Sequence, residues 1–147
     1  MRRLSCVLLV LAACALTFTN VTLGGTPLSG TATFSTTDTT SFTLDANLTG
    51  STTTFVVTGF SVAGSSGAVT FGGSVAISGD ASTSISFGSV LWKDGDCYPS
   101  SGAITVQKGA ISESIAFSAT TPTTGQVVVT VGKKSVPVSL PAYGSCG

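Results

Sequence analysis

A chain of 147 residues fits one domain and can bury about two-thirds of its unfolded surface. Charged residues are 8% of it, where about 25% is usual; Ser and Thr supply roughly a third, and formal net charge is zero. Binding nucleic acid by counterion release needs clustered Lys and Arg. The one such cluster beyond the N-terminus, Lys133-Lys134, falls in an expected turn, so no nucleic-acid partner is expected. His is absent, which removes the commonest general base, metal ligand and pH switch. No metal, no cofactor and no enzymatic activity are expected.

The first fifteen residues read MRRLSCVLLVLAACA. Arg2 and Arg3 form a positive region, and Leu4 through Ala13 form an apolar stretch of signal-peptide length, too short to span a bilayer as a helix. It ends in Leu11-Ala12-Ala13-Cys14, which resembles the lipobox of bacterial lipoproteins. That resemblance implies a signal peptide over residues 1–13, diacylglyceryl transfer to the Cys14 sulfur and cleavage before Cys14. The membrane is then a partner through an N-terminal lipid, and two or three acyl chains hold a protein essentially permanently. Ala13-Cys14-Ala15 also fits an ordinary A-x-A cleavage site, which would release the chain as a secreted protein.

Residues 14–30 are expected as a lipid-anchored tether or a loosely attached first strand, because Gly24-Gly25-Thr26-Pro27 interrupts them. As a flexible coil they would reach roughly 20 Å. Residues 31–147 are expected as one antiparallel β domain, a sandwich or rolled meander of about eight to ten strands. Apolar residues alternate with Ser and Thr along it: Phe42, Leu44, Ala46 and Leu48; Val69 and Phe71; Val75 and Ile77; Ile85, Phe87 and Leu91; Ile104 and Val106; Ile115 and Phe117; Val127, Val129 and Val131; Val136, Val138 and Leu140. Turn residues separate the runs, among them Gly64-Ser65-Ser66-Gly67, Asp94-Gly95-Asp96 and Gly132-Lys133.

With Cys6 in the leader and Cys14 the lipid site, Cys97 and Cys146 remain. In an oxidising compartment they are expected as a disulfide, two free thiols being the alternative. The run Cys97-Tyr98-Pro99-Ser100-Ser101-Gly102-Ala103-Ile104-Thr105-Val106 resembles a recurring Cys-x-Pro-x-Ser-Gly-x-Ile-x-Val segment of secreted bacterial β-meander proteins. In that pattern a second Cys follows near the next turn, where this chain reads Thr123-Thr124-Gly125.

Few residues invite chemistry. Asp94 and Asp96 could begin a Ca²⁺ loop, but such a site takes six or more oxygens, so a polar turn is expected. Trp92 and Tyr98 are weak candidates for binding a sugar or peptide. Glu113 shares a strand face with Ile111 and Ile115, where an inward charge guards an edge strand against aggregation. Without His the usual Ser triad cannot form. The expectation is a lipid-anchored cell-envelope protein with a non-enzymatic structural or binding role, its partner an envelope protein or polysaccharide. A secreted or surface adhesion module and an envelope hydrolase or inhibitor are the alternatives.

Overall fold

The computed structural model describes residues 4–6, 13–23, 25–36, 38–79 and 82–141. They form one antiparallel sheet of eleven strands laid side by side in chain order. These are β1 (Leu4–Cys6), β2 (Ala13–Leu23), β3 (Thr26–Thr36), β4 (Ser41–Thr49), β5 (Thr54–Ser65), β6 (Ala68–Ser78), β7 (Thr83–Lys93), β8 (Ser101–Lys108), β9 (Ile111–Phe117), β10 (Gln126–Val131) and β11 (Lys134–Ser139). A single helical turn, α1 (Thr121–Thr124), joins β9 to β10. The all-β expectation holds, in its meander form.

Beyond β1, which falls inside the expected leader, ten strands remain, as expected; residues 14–30, expected as a tether or a loosely attached first strand, contribute to two of them. They belong to β2 and β3, which pair over most of their length. Cys14, Leu16 and Phe18 alternate with Ala15 and Thr17, which is a strand pattern. β1, inside the expected leader, pairs with β2 so that Cys6 stands opposite Cys14.

Pairing in register sorts the side chains into two chemically distinct faces. Opposed residues on neighbouring strands point the same way, so a rung can be followed across the sheet. One rung runs Leu16, Ala32, Ala46, Val57, Val75, Ile85, Val106, Glu113, Val131, Lys134. A rung on the other face runs Thr58, Ser74, Ser86, Thr105, Ser114, Thr130, Ser135. One face is therefore apolar almost throughout, and the other is small and hydroxylated.

Keeping the faces in phase needs three inserted residues. β2 uses Phe18 to Val21 where β3 uses Gly30 to Leu28; β5 uses Thr58 to Ser61 where β6 uses Ser74 to Gly72; β7 uses Gly88 to Leu91 where β8 uses Ala103 to Ser101. Each insertion holds one residue at positive φ: Asn20 at 51°, Gly59 at 55° and Ser89 at 50°. These are β-bulges, and each reverses the odd-even phase of its strand. In β5 the apolar face takes Phe55 and Val57, then Phe60 and Val62. In β7 it takes Ile85 and Phe87, then Val90 and Trp92. Leu91, expected beside Ile85 and Phe87, therefore points to the hydroxylated face, where it pairs with Thr70 and Ser101. Two bulge amides that the ladder cannot satisfy find side chains instead. Asn20 N–H donates to Ser29 Oγ at 3.0 Å, and Gly59 N–H donates to Asp45 Oδ1 at 2.7 Å.

The strand beside a bulge must come close to it. At Gly73 in β6, φ is 91°, and a Cβ would stand 2.5 Å from the Cα of Phe60 and closer still to the carbonyl oxygen of Gly59. The missing side chain also leaves room above β6, where Phe60 of β5 meets Phe87 of β7 edge to face with centroids 5.7 Å apart. A second aromatic pair, Phe34 and Phe42, stacks at 5.0 Å between β3 and β4.

The apolar face is the more protected one, yet it is not sealed. The buried hydrophobic residues among those described are Leu28, Ala32, Val90 and Val127, and register puts all of them on this face. Most of the other apolar side chains there are half-buried. Among the described residues, seven of the eight exposed large hydrophobics belong to it as well: Val21, Phe34, Trp92, Ile111, Val131, Val136 and Val138, with Val128 opposite.

Gly73→Ala forces a Cβ into backbone and is expected to cost about 3 kcal/mol or more in chemical denaturation. Gly59→Ala meets nothing within 4 Å, so it carries only the positive-φ penalty of about 1 kcal/mol. Equal costs at the two positions would refute the close approach of β6 to the β5 bulge.

Candidate functional surfaces

The residues singled out from sequence fall into a buttressed corner, an exposed aromatic and two faces. The corner is built from the connection between β7 and β8. Ser100 N–H donates to Leu91 O at 2.8 Å, which buries Ser100 and Pro99. Tyr98 lies with a ring carbon 3.5 Å from where a side chain on Gly125 would start, and its hydroxyl donates to Pro141 O. Leu140 N–H donates to Gly125 O at 2.8 Å. Tyr98 thus ties three chain segments together at one end of the sheet: the connection from β7 to β8, the α1 turn and the chain after β11. A hydroxyl committed in this way positions backbone. Cys97, next to it, is disulfide-bonded; Cys146, the partner expected for it, lies outside the described residues.

α1 contributes the most enclosed polar group of the corner. Pro122 suits a first helical turn because its missing N–H would be unpaired there anyway. Thr121 is fully buried at 0% exposure. Its Oγ1 accepts from Ser118 N–H at 2.9 Å and donates to Gln126 O at 2.8 Å, bridging the end of β9 to the start of β10. Beside it Val127 is 3% exposed. Gly125, at the end of the Thr123-Thr124-Gly125 turn, packs beside Tyr98.

Trp92 stands on the apolar face opposite Val69 and is exposed. Its indole N–H donates to Asp96 O at 2.7 Å. That bond shapes the Asp94-Gly95-Asp96 turn together with Asp94 N–H to Gly67 O at 2.8 Å and Asp96 N–H to Lys93 O at 3.1 Å. Among the described residues no three His, Cys, Asp or Glu side chains gather. Glu113 sits on the apolar face between Val106 and Val131 and is exposed. Asp38 lies between β3 and β4. The backbone N–H of Thr40 and then its hydroxyl, at 2.7 and 2.9 Å from Oδ1, hold its pKa below the ordinary carboxylate value.

Two open depressions lie where the hydroxylated face meets the strand ends. One is lined by Ala116, Gln126, Val128 and Pro137 with the α1 approach, the other by Ala76, Ser84, Gln107 and Gly109 among others. Neither is lined by a titratable side chain, so neither offers a general acid, a base or a charged ligand anchor. The hydroxyl rung is the more regular feature. Its seven Ser and Thr side chains succeed one another at about the 4.8 Å interstrand spacing, and Thr130 and Ser135 share a hydrogen bond at 2.8 Å. Single-sequence reading found the alternating residues, but only the register shows that they line up across seven strands.

Cys14, the expected lipid site, lies near the start of β2 opposite Phe34 and is disulfide-bonded in the structure.

Thr121→Val, which keeps shape and removes the bridging hydroxyl, is expected to cost about 2 kcal/mol, since it takes the shared partner from Ser118 N–H and the Gln126 carbonyl. Thr123→Val, whose exposed hydroxyl bonds only Thr120 O, is expected to cost less than about 0.5 kcal/mol. Urea denaturation of both variants measures the contrast. The chain matches no protein-family model, no curated protein and no solved structure.

Proposed function

We propose that this chain is an exported bacterial envelope protein, held to a membrane by a lipid on Cys14, whose β domain has a structural or binding role without catalysis. The observation that carries the reading is the division of the sheet into an apolar face and a hydroxylated face, with no cluster of titratable side chains on either among the described residues. Such a molecule offers surfaces. The leader supports the address: a short positive and apolar segment runs into Leu11-Ala12-Ala13-Cys14. A thioether on Cys14 and a disulfide at Cys14 exclude one another. Cleavage before Cys14 removes β1 and leaves the lipid-bearing residue as the first residue of β2. The anchor then attaches directly to a strand, and the sheet is held close to the membrane surface.

A binding role toward polysaccharide, as in an adhesion module, is supported by the hydroxyl rung from Thr58 to Ser135. Evenly spaced donors and acceptors suit a hydroxylated polymer, while exposed Trp92 lies on the opposite face.

In a bacterial host, Cys14→Ser is expected to abolish incorporation of a labelled fatty acid and to move the chain from the detergent phase to the aqueous phase. Intact-mass measurement of the wild-type chain is expected to show a lipidated N-terminus at Cys14. Mature protein that begins at Leu16 and carries no lipid mass would refute the anchor.

A further inference from the structure

We propose that the apolar face of the sheet is closed by the same face of a second copy of this chain, making a two-layer β-sandwich from two protomers. The inference does not depend on the lipid anchor. A sheet that is apolar on one side has to bury that side against another layer, and among the described residues no second layer exists. The sheet includes every strand described, and α1 is one turn long.

The area available fits a stable dimer. The chain exposes 9684 Å², whereas a compact monomer of 14.5 kDa is expected near 6,900 Å², roughly 2,800 Å² less. Half of it, roughly 1,400 Å² per chain, still exceeds the ~800 Å² per partner of a standard stable interface.

The chemistry of the face narrows the occupant. From β2 to β7 it carries no charged side chain. Its charges, Lys108, Glu113 and Lys134, all lie at the β8–β11 end, where a two-fold arrangement can leave them at the rim. Charged ligands have nothing to pair with over most of the surface. Immersion in lipid is disfavoured because, among the described residues, β11 is paired on one side only, and its unpaired backbone groups would be stranded in hydrocarbon. A second copy offers an uncharged face of the same size and strand spacing, and paired sheets interdigitate their inner side chains at about 10 Å. A face meeting its own twin is also the geometry that a two-fold dimer requires.

Sedimentation equilibrium of the full chain over a range of concentrations tests this. The expected mass is twice 14.5 kDa. Phe34→Lys, on the exposed part of the apolar face, is expected to raise the dimer dissociation constant at least about tenfold. Thr33→Lys, the next residue of the same strand but on the other face, is expected to leave it unchanged. A photo-crosslinking phenylalanine analogue is expected to link two chains from position 34 and not from position 33. This arm decides the matter if the lysine at 34 prevents folding. A wild-type chain that is folded by circular dichroism but monomeric throughout the micromolar range overturns the proposal, whether or not it carries lipid. So does a dimer that folded Phe34→Lys leaves intact, or crosslinking from position 33 alone.

Discussion

Everything in this sheet depends on phase. A strand presents alternate residues to opposite faces, so one uncompensated insertion in any strand would send its apolar set to the wrong side. Eleven strands stay consistent because β2, β5 and β7 each absorb one extra residue at positive φ. The neighbouring strands yield at the same level, most tightly at Gly73. Asp45 and Ser29 supply the acceptors that the interrupted ladder lacks. The bulges act as the corrections that let one apolar surface extend from Leu16 to Val136.

That surface gives the molecule an extended character, and its tightest hydrogen bonding lies elsewhere. Its order is concentrated at the corner around Tyr98, Ser100 and Thr121, where hydrogen bonds link segments far apart in sequence. The hydroxyl of Tyr98, the indole N–H of Trp92 and the hydroxyl of Thr121 are all spent on backbone carbonyls. Polar groups that could have met a ligand hold turns in place instead. What remains for recognition is extended: an uncharged apolar face and a regular row of hydroxyls.

Much of this was legible in the sequence because alternation is a local signal. The runs at 42–48, 69–77, 104–106 and 127–138 fall on strands, with their apolar members on a single face. Two things escaped. Residues 14–30 read as a tether or a loosely attached first strand, since Gly24-Gly25-Thr26-Pro27 interrupts them and the resemblance to a lipobox just before masks the strand alternation that begins at Cys14. Leu91 was assigned the wrong face because Ser89 is an unremarkable residue in the string Phe87-Gly88-Ser89-Val90, and nothing local marks it as inserted. The corner was beyond reach for a different reason. The contact of Tyr98 with Pro141 joins residues 43 apart through a turn whose packing only the assembled sheet defines. The rung from Thr58 to Ser135 likewise exists only once registers are known.

The strand order has a consequence for how the chain comes into being. Each strand pairs only with its neighbours in sequence, so every pairing is closed by a short connection and no distant segment has to be awaited. Such a topology has low contact order for a β protein, which favours fast assembly. It also resembles a linear array, in which stability is a sum over adjacent units and disruption spreads from the ends. A chain threaded outward from its N-terminus could add hairpins one at a time as they emerge. β11 would then be both the last strand to dock and the first to fray.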